Sequence, residues 1–138
     1  MSTNENGRST AISLDISVWV PDDDAYAGRG VVDDPPDSST AVGPEGARHA
    51  LWGSTAVRQL GATFLPRLAD ITVENRGNLQ ILPNQLHAFE QECVILAENV
   101  AQLSVATGYD ADRILRYLAN VRSAVERAKA VRGGVIIW

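Results

Sequence analysis

An α+β domain is the fold class this sequence predicts, and three stretches carry the prediction. Residues 12–20 alternate apolar and polar side chains, with Ile12, Leu14, Ile16, Val18 and Val20 on one side of the pattern. Residues 84–107 and 110–132 each repeat apolar residues at spacings of three and four, on either side of the short break TGYD. The chain then closes on VIIW after Gly133 and Gly134. Period two marks a half-buried strand, whereas a three-four repeat marks an amphipathic helix.

Taken in order, residues 1–10 are polar and read as a flexible tail ahead of the first strand, which Pro21 ends. Residues 21–46 hold Pro, Gly, Asp and Ser without any period, so they read as one long acidic loop. Loops of that length in compact domains are commonly functional or mobile. Near 54–65 a shorter helix is expected: Val57, Leu60, Phe64 and Leu68 share helical spacing and Ser54 suits the cap, although Gly61 and Pro66 limit its length. ITVENRGNLQIL reads as a hairpin, with strands near 70–74 and 79–82 about a turn at Gly77.

The helical signal is clearest in Leu86, Phe89, Cys93, Leu96, Val100 and Leu103, with Pro83 at the start and Gly108 at the end. Asp110 suits the cap of the following helix, where Ile114, Leu118, Val121, Val125 and Ala128 continue the spacing. So short a connection makes these helices an antiparallel hairpin that covers a small sheet, whose last strand lies near 134–138. At 138 residues and 45% hydrophobic content the chain suits a single globular domain.

Charge is unevenly spread. Residues 1–46 carry net −7, residues 47–109 net −1 and residues 110–138 net +3, within a total of −5. General nucleic-acid binding is disfavoured, because phosphate attraction needs a basic surface. No apolar run approaches the roughly 20 residues of a membrane-spanning helix, and the polar start lacks a secretion signal's apolar core, so a cytoplasmic location is expected.

Candidate chemistry is sparse. The stretch PDDDAYAGRGVVDDPPD fails as an EF-hand: a loop starting at Asp22 would put Tyr26 fifth, Ala27 where glycine belongs and Asp33 last. His49 and His87 match no metal-binding spacing, and Cys93 sits on a helical seam where a thiol packs as a small hydrophobe. Trp52 to Ser54 is no nucleophile elbow, and no glycine-rich phosphate loop occurs. No metal and no cofactor is expected. Glu90, Glu92 and Glu98 on one long helix stand opposite the arginines and lysine of the next, which predicts an antiparallel charge match.

The leading expectation is a non-enzymatic acidic binding protein, of inhibitor or immunity type, that docks on a basic protein partner. Asp22, Asp23, Asp24, Asp33, Asp34 and Asp37 would attract that partner, with Tyr26, Val31 and Val32 as apolar anchors. Alternatives are a structural protein that self-assembles into homo-oligomers through the helical hairpin or sheet edges, and a small enzyme with a site near His49 and Trp52. A further possibility is that the acidic loop folds back on the basic last helix as an internal shield.

Overall fold

The structure is a computed structural model that describes residues 13–22, 24, 28–36, 38–70 and 78–138. It is an α+β fold, with a five-stranded antiparallel sheet and helices packed on one face. β1 (Ser13–Pro21) organises the sheet. One of its edges pairs with β5 (Gly134–Ile137), Ser17 opposite Ile136 and Trp19 opposite Gly134. β4 (Leu79–Ile81) lies on the far side of β5. The other edge of β1 is shared end to end by β2 (Arg29–Val32), with Val18 opposite Val32, and β3 (Ala41–Pro44), with Ser13 opposite Pro44. The alternation of backbone bonds shows the two edges directly. Asp15 exchanges bonds of 2.8 and 2.9 Å with Trp138, while the next amide, Ile16 N–H, donates the other way to the Thr40 carbonyl at 3.0 Å.

Between the strands run a π-helical turn (Arg48–Trp52), α1 (Thr55–Gln59), α2 (Arg67–Asp70), a 3-10 turn (Pro83–Gln85), α3 (Leu86–Glu98), α4 (Val100–Thr107) and α5 (Ala111–Ala130). α3 and α5 lie side by side and bury Phe89, Cys93, Leu96, Ile114, Leu118, Val121, Val125 and Ala128 against Leu14, Ile16, Val18, Val135 and Ile137. Each large apolar side chain so buried contributes about 1.5–3 kcal/mol. None of the described helices is long and apolar enough to cross a membrane.

Several sequence expectations are refined. Residues 21–46 are not one loop: β2 and β3 fall inside the segment. Four-residue strands such as RGVV and AVGP are too short to show a period, and the edge of β1 orders them. The expected helix near 54–65 is only α1, with Ser54 Oγ accepting the Val57 N–H at 3.2 Å as its cap. Asp70 ends α2 rather than opening a strand, and residues 71–77, with the expected strand and turn, lie outside the described residues, as does the tail 1–10. The helix expected over 84–107 breaks at Asn99. Its backbone N–H bonds to Leu96 O at 3.2 Å, while its side-chain amide takes the Ile95 carbonyl at 2.8 Å. Asparagine offers the backbone this local alternative, which is why it is poor in helix interiors.

Gly133 and Gly134 suggest in the sequence that glycine stops the last helix, and the end of α5 departs from this. Arg132 N–H reaches Lys129 O at 3.2 Å and Gly133 N–H reaches Ala128 O at 2.9 Å, the bond pattern of a Schellman motif. The left-handed position is filled by Arg132 (φ 58°) and not by a glycine. Gly133 and Gly134 serve another need. A Cβ on Gly133 would collide with the Trp19 carbonyl, and one on Gly134 would meet the Ile81 carbonyl and lie 2.5 Å from Trp19 Cζ2. The two glycines let β5 enter between β1 and β4 beneath the Trp19 indole, whose N–H donates to Val135 O at 3.2 Å.

Candidate functional site

The acidic segment is built from the turn after β1. Asp22 N–H donates to Gly28 O at 2.8 Å, and Asp22 Oδ1 accepts the Asp24 N–H at 3.0 Å, an Asx turn that holds the carboxylate at the loop. Gly28 (φ 72°) returns the chain into β2. There Arg29 places its guanidinium carbon 5.0 Å from the centre of the Trp19 ring, a cation–π contact. Val31 stands opposite Trp19 and is 57% exposed.

Strand alternation places Trp19, Val31, Ile136 and Trp138 on the face of the sheet turned away from α3 and α5. Trp19 and Ile136 are buried there, while Trp138 is 46% exposed. Asp22 and Asp24 precede β2 and Asp33 follows it, all three exposed. Among the described residues β2 is therefore an edge strand flanked by acids at both ends, with an exposed valine between them.

The expected set of partner-binding residues divides. Asp22, Asp24, Val31 and Asp33 are outward. Val32 is turned inward and packs, half-buried, against the core, so it is no anchor beside Val31; adjacent strand residues face opposite sides. Asp34 is engaged by Arg127 of α5, whose Nη1 donates to Asp34 Oδ1 at 2.8 Å. Asp23, Tyr26 and Asp37 lie outside the described residues.

The other chemical candidates are dispersed. His49 and His87 are exposed. Trp52 is buried in the core, where its indole N–H donates to Val42 O at 2.8 Å, so it shares no open surface with His49. Cys93 is buried, and desolvation pushes its thiol up to about 12, with the neighbouring Glu92 charge adding to the effect. That thiol is inert near neutral pH. Among the described residues no group of three or more His, Cys, Asp or Glu side chains is placed to hold a metal ion.

Sequence reading missed Glu92. Its carboxylate is buried and accepts three backbone N–H bonds: Oε1 from Thr63 at 2.6 Å and Phe64 at 2.9 Å, and Oε2 from Leu65 at 2.8 Å. It thus fixes the chain just before α2 and does not face α5. Of the expected charge match, the ion pair found is Lys129 Nζ to Glu90 Oε1 at 2.7 Å. The signal for Glu92 was in the spacing: three residues after Phe89 and four before Leu96, it belongs to the apolar stripe.

No protein-family model, no curated protein and no solved structure matches the chain.

Proposed function

We propose that this chain is a binding protein without chemistry of its own, which docks a basic protein partner along β2 and the outward face of the sheet beside it. The observation that carries this reading is the placement of exposed Val31 opposite Trp19, between Asp22 and Asp24 at one end of the strand and Asp33 at the other. Carboxylates at the rim accelerate encounter with a cationic surface and disfavour acidic competitors. An apolar centre provides the desolvated contact on which affinity depends. Charge complementarity names the partner's sign, since residues 1–46 carry net −7. A cytoplasmic setting accompanies this reading.

The test begins with affinity capture from the source organism's lysate and continues with each retained protein, purified and titrated against two variants. One changes Asp22, Asp24 and Asp33 to Asn; the other is Val31→Arg. For the true partner, the triple variant lowers the association rate and flattens its salt dependence. Val31→Arg weakens the complex about tenfold or more, the cost of losing a central apolar contact. Retained proteins that bind both variants as tightly as the parent chain would end the proposal.

A further inference from the structure

The stretches 33–36 and 38–40 join β2 to β3, and contacts from α5 hold them down. Arg127 Nη1 donates to Asp34 Oδ1 at 2.8 Å, and Asn120 Nδ2 donates to Ser39 Oγ at 3.1 Å and to the Ala41 carbonyl at 2.8 Å. On the other side, Thr40 Oγ1 donates to Asp15 Oδ1 at 3.1 Å, and the Thr40 carbonyl takes the Ile16 N–H at 3.0 Å. Asp34, Ser39, Thr40 and Ala41 are thus held between α5 and the edge of β1.

Its main ionic tie is incomplete. Arg127 Nε and Nη2 are buried, and neither has a hydrogen-bond partner among the described residues. Those two atoms form the side-on edge of the guanidinium, which a carboxylate would grip with two parallel bonds. Asp34 meets Nη1 instead, and its side chain remains 33% exposed, within reach of screening ions. A single-point contact on a guanidinium that still lacks two partners holds less firmly than a fork.

We propose that the Asp34–Arg127 pair is a salt-sensitive latch. Closed, it keeps the Thr40 carbonyl on the edge of β1 and Asp34 out of the acidic surface. Open, it releases both together.

Two adjacent amides provide the test, because Ile16 N–H points to the strapped edge and Asp15 N–H points to Trp138 on the opposite edge. Hydrogen exchange of both is followed by NMR in the full chain, in Asp34→Asn, in Arg127→Met and in the double variant. Each single change raises the Ile16 rate about tenfold or more, as expected for losing a charge-assisted bond. The Asp15 rate stays within about twofold, and the double variant adds little to either single one, as for partners in one contact. Raising salt to about 0.5 M moves the parent chain in the same direction. An unchanged Ile16 rate overturns the latch. Equal acceleration of Ile16 and Asp15 also overturns it, since the pair would then act only on global stability.

Discussion

Glu92 and Arg127 are both charged groups drawn toward the interior, and the fold treats them differently. Glu92 brings two oxygens to three amides of one turn, and each contact is 2.9 Å or shorter. Arg127 spends one nitrogen on Asp34 and leaves two buried nitrogens without partners among the described residues. A buried charge stabilises when its hydrogen-bonding capacity is met, and it weighs against the fold when it is not. The first site therefore behaves as a rivet for the 63–65 turn, and the second as a contact that can let go.

The largest effect should come from breaking the rivet. Glu92→Ala leaves three amides without their acceptor, two of them buried, at about 1–3 kcal/mol each. We expect a loss of about 4 kcal/mol or more in urea-unfolding stability. Glu92→Gln, which keeps the shape but turns one acceptor into a donor, should lose about half as much. A loss below about 1 kcal/mol for Glu92→Ala would erase the contrast with Arg127.

The next effect comes from treating the two ends of the latch separately. Asp34→Ala strands the guanidinium and should cost about 1–2 kcal/mol, less than a fully buried pair because Asp34 is partly solvated. Arg127→Met removes the unpartnered nitrogens together with the charge, and should fall within about 1 kcal/mol of the parent. Equal losses for both would mean that the arginine is better satisfied than its geometry implies.

Smallest is the contribution of the surface pair. The Lys129 hydrogen bond, aided by Glu126, holds the Glu90 carboxyl below its ordinary range against a smaller opposing desolvation. Glu90 thus favours the folded state fully above the ordinary carboxylate range, and this is lost as pH falls through the lowered folded-state value. In Lys129→Ala, the acid limb of a stability-against-pH curve should be shallower, with little change near neutrality. An unchanged acid slope would show that solvent screens the pair completely.

The parts of the fold legible in the sequence are those whose signal is repeated along the chain. β1 alternates over nine residues, and α5 repeats its apolar stripe over twenty. Of the candidate surface, the acids at the two ends of β2 were legible as composition, but Val31 and Val32 were separable only once β2 was known to be a strand. Asp34 could not be set apart from Asp33 in the sequence, because its partner Arg127 lies 93 residues away.

What the sequence by itself determined is thus local: the first strand, the capped helices and the stops between them. Asp110 Oδ2 accepts the Arg113 N–H at 3.2 Å at the head of α5, and Gly108 takes φ 80° at the end of α4, as their residue types require. The tertiary structure alone decided the distant pairings. It converted an aperiodic acidic stretch into two edge strands and turned Glu92 toward a turn 27–29 residues earlier. It also assigned Gly133 and Gly134 to close passage beside Trp19 while leaving the left-handed position to Arg132. Period, caps and turn residues act through neighbours in the chain, whereas a buried carboxylate or a missing Cβ acquires its role only from what the fold presses against it.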